Sequence, residues 1–163
     1  TRCLSDWSSD VCSSDLMKIA IGCDHGGYPL KQEIIKLIKE MGHEVEDFGT
    51  YSPESTDYSD YAFPVATSVA EGKFDRGILI CGTGVGMSIS ANKVKGIRAA
   101  LVTDLYTARV TREHNDSNVL CLGARITGPQ IALEIVRIWL TSEFEGGRHE
   151  RRINKIKDYE QHC

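Results

Sequence analysis

The sequence predicts a three-layer α/β fold in which helices cover both faces of a doubly wound, five-stranded parallel sheet. From Met17 onward, short apolar runs alternate with segments whose apolar residues recur at helical spacing. Glycines stand where several of the helical segments end. The 163 residues, 41% hydrophobic and 26% charged, suit one globular domain with a substantial core. Strands separated by crossover helices pair in parallel, so we expect ligands at the carboxyl ends of the strands.

The first part of the domain shows the alternation clearly. Residues 18–23 form an apolar strand, and residues 30–41 carry a helical stripe that ends at Gly42. Residues 44–48 alternate as a second strand, and the polar stretch 51–61 is a loop. A helix is predicted over about 63–71, with Pro64 in its first turn, where proline is tolerated.

The later elements continue the same order. We predict a strand over 77–81, a helix near 86–93, a strand over 97–102 and a strand over 119–122. Asp104 is the expected N-cap of the helix between the last two strands. Residues 129–140 form a helix with an apolar face of Ile131, Ile135, Ile138 and Trp139, and a polar helix follows Gly146.

Residues 1–16 differ in character from the rest of the chain. They are rich in serine and aspartate, and they lack the basic start and apolar core of a secretory signal. They are also too acidic for a mitochondrial presequence. We interpret residues 1–16 as a non-native or disordered leader, Met17 as the natural start, and residues 17–163 as the functional domain.

Composition excludes several classes of function. A net charge of -4 argues against broad nucleic-acid binding, and no apolar run is long enough to span a bilayer. Six cysteines are present without a C-x-x-C pair, which argues against a structural zinc site. Cys23, Cys81 and Cys121 lie near the ends of apolar runs, as reduced thiols do in cytoplasmic α/β proteins.

The most informative segment is the strand that ends at Cys81 and runs into a glycine-rich loop. Gly82, Gly84 and Gly86 lack a Cβ, so their N–H groups can approach a ligand closely. The N–H groups at the start of the following helix favour negative charge. A thiol beside such a loop is a candidate for chemistry, although a cysteine at a strand end is more often a small buried apolar residue.

Other candidate residues follow neighbouring strands. Asp24 and His25 come directly after the first strand, Tyr58 follows the second, and Arg125 follows the fifth. Asp24 has an ordinary alternative role as a helix cap. His114 precedes the fifth strand, so it must reach the site from the entry side or from another subunit, unless it is a surface residue. The remaining histidines, His43, His149 and His162, are interpreted as ordinary polar residues.

The last predicted helix carries a basic pair. Arg148 and Arg152 are four residues apart and therefore share one helical face, where two guanidinium groups can clamp a phosphate. The alternative is a solvated basic stretch, which describes Arg151 well because it points away from the other two.

A dinucleotide-dependent oxidoreductase is the competing interpretation of the glycine loop. Asp104 lies near the position of a ribose-binding acid, but the fingerprint requires a third glycine where this chain has Met87. The loop also follows the third strand instead of the first. The candidate histidines and carboxylates share no metal-ligand spacing, so no metal is expected.

Taken together, the motifs resemble the family of ribose-5-phosphate isomerase B and galactose-6-phosphate isomerase, across essentially all of residues 17–163. The motifs that carry the resemblance are Gly22-Cys-Asp-His-Gly-Gly27, Thr56-Asp-Tyr58, Ile80-Cys-Gly-Thr-Gly-Val-Gly86, Ala91-Asn-Lys93, Arg112-Glu-His-Asn-Asp116 and Glu145-Gly-Gly-Arg-His149. The resemblance implies a Rossmann-like fold and a cytoplasmic aldose–ketose isomerase of the pentose phosphate pathway. It also implies that neither a metal nor an organic cofactor is needed.

The resemblance further implies roles for residues of this chain. Cys81 would be the base that moves a proton between C2 and C1 of the sugar, and His114 would donate the ring-opening proton with assistance from Asp24. The expected substrate-binding residues are Asp24, His25, Tyr58, Gly82, Thr83, Gly84, Val85, Gly86, Asn115, Arg125, Arg148 and Arg152. Among these, Thr83 and the loop backbone would hold the enediolate oxygen, and His25 with the two arginines of the last helix would hold the phosphate.

In that family the sites are shared between two subunits. A homodimer with the C-terminal helix at its interface, or a dimer of two such dimers, is therefore expected. Three alternatives stay open at the level of sequence: isomerisation of a hexose 6-phosphate of allose or galactose type, a dinucleotide-dependent oxidoreductase, and a sugar-phosphate binding module without catalysis.

Overall fold

The computed structural model describes residues 16–163, so the interpretation of residues 1–16 as a leader falls outside the described residues except at Leu16. The strands are β1 Lys18–Cys23, β2 Glu44–Asp47, β3 Arg76–Cys81, β4 Ala99–Leu101 and β5 Val119–Gly123. The α-helices are α1 Tyr28–Glu40, α2 Ser59–Ala70, α3 Val85–Ala91, α4 Leu105–Glu113, α5 Pro129–Thr141 and α6 Arg148–Glu160. A short 3₁₀ turn, His25–Gly27, precedes α1.

The five strands form one parallel sheet in the order β2-β1-β3-β5-β4. The predicted α/β class and the five-stranded parallel sheet are confirmed. Cys81 of β3 pairs with Gly123 of β5, and Gly77 pairs with Val119. The ends of the two central strands therefore coincide, and the loops after β1, β3 and β5 meet at the carboxyl edge.

Each face of the sheet has its own apolar core. Alternate residues of β3 show the division, because Ile78 and Ile80 face α1, α4 and α5 while Leu79 and Cys81 face α2 and α3. Trp139 is fully buried in the first core, where its indole N–H donates to Ser117 Oγ over 2.9 Å. Strands covered on both sides bury nearly every side chain, which explains why they read as continuous apolar runs.

Lys31 is a fully buried charge at the sheet edge. Its Nζ donates to Asp47 Oδ1 over 2.7 Å and also to the carbonyl oxygen of Thr50. The ion pair with Asp47 joins α1 to the end of β2, and the bond to Thr50 joins α1 to the segment that leads to Tyr58. A buried charge needs such partners because desolvation is costly.

Three details of the sequence prediction are corrected. The α2 helix begins at Ser59, so Pro64 lies inside it instead of in the first turn. Its earlier start follows from N–H groups of Tyr61 and Ala62 that donate to the carbonyl oxygen of Tyr58. The β4 strand spans three residues, and Ile131 of α5 is 45% exposed. Ala132, Ile135, Val136, Trp139 and Leu140 form the buried face of that helix instead.

Within residues 16–163, none of the helices combines the length and the apolar character that crossing a membrane requires.

Candidate active site

Cys81 lies at the carboxyl end of β3, where its side chain is nearly buried. The backbone N–H of Gly84 donates to its Sγ over 3.0 Å. A hydrogen bond to sulfur stabilises the thiolate more than the thiol, and the thiolate is the reactive form. The geometry therefore suits Cys81 for proton transfer.

The two other buried cysteines have a different environment. Burial raises the pKa of the Cys23 thiol to about 11, and it also raises the pKa of the Cys121 thiol. Both groups are therefore protonated at neutral pH. They act as small apolar side chains of the two cores.

The glycine loop has a shape that larger residues would destroy. Gly84 has a φ of 80°, and a Cβ added there would lie 2.5 Å from Leu101 Cδ1. A Cβ on Gly86 would lie 2.8 Å from the ring of Tyr58, so the tyrosine rests directly on the loop. Thr83 and Val85 remain exposed between the glycines, and the N–H of Val85 donates to Thr83 Oγ1 over 3.3 Å.

Asp24 and His25 lie beside this loop. Asp24 Oδ1 accepts a hydrogen bond from the N–H of Gly26 over 2.8 Å, so Asp24 caps the short 3₁₀ turn, whereas the N-cap of α1 is Gly27. His25 Nδ1 accepts from the N–H of Thr56 over 3.2 Å. An acceptor at Nδ1 leaves the proton on Nε2, so the imidazole offers a donor to a ligand. A Cβ on Gly26 would lie 3.1 Å from the Gly82 nitrogen, which shows how closely the two loops approach.

Arg125 approaches the loop from β5. Its backbone N–H donates to the Gly82 carbonyl oxygen over 3.0 Å, and its guanidinium lies against Gly82. The side chain is exposed and can reach a bound anion. The structure therefore brings together, at the carboxyl edge of the sheet, six of the predicted features: Asp24, His25, Tyr58, Cys81, the loop 82–86 and Arg125.

The remaining predicted residues lie elsewhere in the chain. His114 is the C-cap of α4, and Asn115 follows it, just before β5 enters the sheet at its amino edge. The five residues of β5 separate that edge from Cys81 by about 16 Å. Arg148 and Arg152 belong to the first turns of α6, and both lie near His149. Within one chain the structure does not bring these four residues close to the thiol. For His114 this agrees with its position before the fifth strand, which indicated that it would reach the site from the entry side or from another subunit.

His149 is a residue that sequence reasoning missed. It is buried, and its imidazole stacks on that of His114 with ring centroids 4.2 Å apart and an interplanar angle of 10°. Glu145 Oε2 lies 3.4 Å from His149 Nε2 and 4.0 Å from His114 Nε2. We call these three side chains the histidine pair and its carboxylate. The only sequence signal was the spacing of four between Glu145 and His149.

The environment of His149 favours its neutral form. Burial lowers its pKa, and the nearby His114 and Arg148 lower it further, while Glu145 acts in the opposite direction.

Nitrogen and oxygen atoms of this cluster lie within 4.8 Å of one another, a separation that can suit a metal ion. Two features count against that use. The imidazole planes are nearly parallel, so their lone pairs run side by side, and Arg148 and Arg152 add positive charge. That no metal is needed stays a prediction.

Comparison with known proteins gives a consistent picture. A profile of the family described as Ribose/Galactose Isomerase matches residues 19–156. Ribose-5-phosphate isomerase B of Escherichia coli is 53% identical over 146 residues, which cover 90% of this chain and 98% of that protein. D-erythrulose-4-phosphate isomerase of Pectobacterium atrosepticum is 45% identical over 147 residues, covering 89% and 96%.

Solved structures agree with this fold. Ribose-5-phosphate isomerase B of Clostridium thermocellum superposes with a TM-score of 0.88 at 57% identity, covering 89% of this chain and 98% of that one. The enzyme of the same name from Mycoplasma genitalium, with bound ribulose 5-phosphate, gives 0.87 at 46% identity, covering 90% and 97%.

Proposed function

Because the chain belongs to the ribose/galactose isomerase family, we infer that it is an aldose–ketose isomerase that interconverts D-ribose 5-phosphate and D-ribulose 5-phosphate. The contact that carries this inference within the molecule is the Gly84 N–H donating to Cys81 Sγ over 3.0 Å. It places the sulfur beside a glycine loop whose backbone can offer donors to a developing oxyanion. Proton abstraction next to a carbonyl needs that combination of a base and oxyanion donors.

The chemistry begins with the open-chain aldose. The Cys81 thiolate removes the proton from C2, and the C1 carbonyl oxygen becomes the enediolate oxygen. The proton on sulfur exchanges with solvent before delivery to C1. The C2 hydroxyl proton passes to the oxygen on C1, so C2 becomes the ketone and C1 carries a hydroxyl. Thr83 Oγ1 and N–H groups of the loop 82–86 would stabilise the enediolate oxygen. Tyr58 and Arg125, which contact that loop, would line the sugar site.

Anchoring of the phosphate is assigned to His25, Arg148 and Arg152. The donor orientation of His25 supports this role, because its Nδ1 is occupied by the Thr56 N–H and its Nε2 carries the proton. The two arginines share one face of α6 and are exposed. Phosphate binding supplies remote binding energy that positions the sugar over the thiolate.

The separation of the two residue groups supports a homodimer with shared sites. His114, Asn115 and the arginines of α6 belong to the amino edge of the sheet, about 16 Å from Cys81 by strand length. A second copy of the chain that brings its amino-edge residues against the carboxyl-edge loop completes the site. In such an assembly α6 contributes to the subunit interface, and His114 would donate the ring-opening proton to a sugar held by the other copy.

Length of the sugar is the remaining question of specificity. One relative acts on a four-carbon ketose phosphate, as its name states, so membership of the family does not fix the number of carbons. The thiol, the His25 donor and the complete arginine pair favour the pentose phosphate. A hexose 6-phosphate is the second candidate, because the description of the matching family names galactose as well as ribose.

One experiment tests the reaction class and the substrate together. The protein is incubated in deuterated water with ribose 5-phosphate, allose 6-phosphate and galactose 6-phosphate, and products are followed by NMR. Conversion of ribose 5-phosphate to a ketose with solvent deuterium at C1 is expected. Faster conversion of a hexose phosphate would reassign the substrate, and binding without exchange would leave only a binding module.

A further inference from the structure

The histidine pair and its carboxylate have no assigned role beyond that of His114. His149 is 5% exposed, and its ring lies flat against the ring of His114 at a centroid distance of 4.2 Å. The two residues come from different elements, since His114 caps the end of α4 and His149 belongs to the first turn of α6. Their contact is therefore a feature of tertiary structure.

The backbone holds this contact in place. The N–H of Glu145 donates to the carbonyl oxygen of Glu113 over 3.0 Å, which fixes the segment before α6 against the end of α4. The N–H of His149 donates to the Gly146 carbonyl oxygen over 3.1 Å. Gly146 and Gly147 both have positive φ values, of 70° and 58°, which turn the chain sharply enough to bring His149 beneath His114.

Access to solvent differs between the two rings. The His114 side chain is 38% exposed, while that of His149 is only 6% exposed. The outer imidazole can thus meet a substrate, and the inner one can only support it. Glu145, at 53% exposure, places its Oε2 3.4 Å from Nε2 of His149 and 4.0 Å from Nε2 of His114, so one carboxylate faces both rings.

We propose that His149 and Glu145 are positioning residues for His114 in ring opening, and that they serve this step alone. In that step the bond between C1 and the ring oxygen breaks, and the ring oxygen takes a proton from His114. The anomeric hydroxyl gives its proton to a carboxylate, for which Asp24 is the candidate, and C1 becomes the aldehyde. The stacked ring fixes the plane of His114, and the Glu145 carboxylate, 4.0 Å from its Nε2, fixes its direction within that plane.

This role rests on the proposed isomerase function and concerns one of its steps, the opening of the sugar ring. Ribulose 5-phosphate carries its phosphate on the oxygen that would close a five-membered ring, so it exists as an open chain. Exchange of its C1 proton needs the thiolate and the oxyanion donors but no ring opening. Consumption of ribose 5-phosphate, a cyclic sugar, needs both. Comparing the two reactions therefore distinguishes a loss of ring opening, which involves His149, from a loss of proton transfer, which involves Cys81.

The test compares both reactions in His149→Ala, Glu145→Gln, His114→Ala and the double variant His114→Ala/His149→Ala. We expect His149→Ala to slow ribose 5-phosphate consumption roughly tenfold to hundredfold, as misplacement of a catalytic group does, with a smaller loss in Glu145→Gln. Deuterium exchange at C1 of ribulose 5-phosphate should stay near the wild-type rate in both. His162→Gln, in the exposed tail, is the matched control and should change neither reaction.

The double variant decides whether His149 acts through His114. If it does, removing His149 from the His114→Ala protein has no further effect on ribose 5-phosphate consumption. Equal slowing of both reactions, or an additive loss in the double variant, would overturn the proposal. Glu145→Gln changes an exposed side chain, so it gives an answer even if His149→Ala unfolds. A wild-type protein inactive in both reactions would instead refute the proposed function.

Discussion

The N–H of Gly84 donates to Sγ of Cys81 across 3.0 Å, so the loop that follows β3 turns back onto the thiol at the end of that strand. This contact ties the shape of the loop to the reactivity of the sulfur. The catalytic proposal can therefore be tested in two ways, because one substitution removes the acceptor and another distorts the loop that carries the donor.

Replacing Cys81 by alanine tests the acceptor. We expect kcat to fall by roughly three orders of magnitude, since a general base contributes about a hundred- to ten-thousandfold, while sugar-phosphate binding measured by calorimetry persists. Cys163→Ser, which changes an exposed free thiol, is the control and should retain full activity. Full turnover in Cys81→Ala would remove this thiol from the mechanism.

Gly84→Ala tests the loop. The added methyl meets Leu101 Cδ1 at 2.5 Å and the backbone of Leu122 at 2.9 Å, in a backbone conformation with a φ of 80°. Strain and overpacking together predict a loss of roughly 2–5 kcal/mol in the free energy of unfolding, with reduced kcat. Urea denaturation measures the first and the isomerase assay measures the second.

Gly96→Ala is the matched control for this variant. Gly96 has a φ of 88° but no atom within 4 Å of the added methyl, so it isolates the backbone cost. We expect Gly96→Ala to lower the free energy of unfolding by about 1–2 kcal/mol and to leave kcat unchanged. Equal destabilisation by the two substitutions would show that the contacts of Gly84 contribute nothing.

Arg148→Ala tests the phosphate anchor. Loss of a charge-assisted hydrogen bond of about 1.5–3 kcal/mol corresponds to a rise in KM of roughly tenfold to a hundredfold, with a smaller effect on kcat. Arg151→Ala removes a neighbouring exposed arginine from another face of α6 and should leave KM unchanged. An unaltered KM in Arg148→Ala contradicts the phosphate role.

Lys31→Met tests the buried ion pair behind the site. The change leaves the Asp47 carboxylate and the Thr50 carbonyl oxygen without their cationic donor. We expect a loss of about 2–4 kcal/mol in the free energy of unfolding. Lys73→Met breaks an exposed pair with Glu71 and should cost less than about 1 kcal/mol. If the two variants unfold at the same urea concentration, the buried pair contributes no more to stability than the exposed pair does.

Removal of metal ions tests the expected absence of a metal cofactor. Dialysis against a chelator should leave the rate of ribose 5-phosphate isomerisation unchanged, since the proposed steps use a thiolate, imidazoles and backbone donors. An activity that falls on chelation and returns with zinc would instead assign the atoms of His114, Glu145 and His149 to a metal site.

Three features could be predicted from local sequence: the alternating strands and helices, the N-cap at Asp104, and the group of Asp24, His25, Cys81 and the glycine loop. These features are local, because periodicity, caps and strand ends are set by residues close in the chain, and parallel pairing then gathers the strand ends at one edge. The start of α2 was less predictable. Hydrogen bonds to the Tyr58 carbonyl oxygen let the helix begin at Ser59, so Pro64 lies inside the helix and not in its first turn.

Other features of the site depend on contacts between residues that are distant in the chain. The register of β3 on β5 places His114 at the edge opposite Cys81, which separates the predicted site into two groups within one chain. Two glycines at positive φ, together with one backbone bond from Glu145 to Glu113, bring His149 beneath His114 although 34 positions separate them in sequence. Such contacts depend on how whole elements pack, and no periodicity in the sequence reports them.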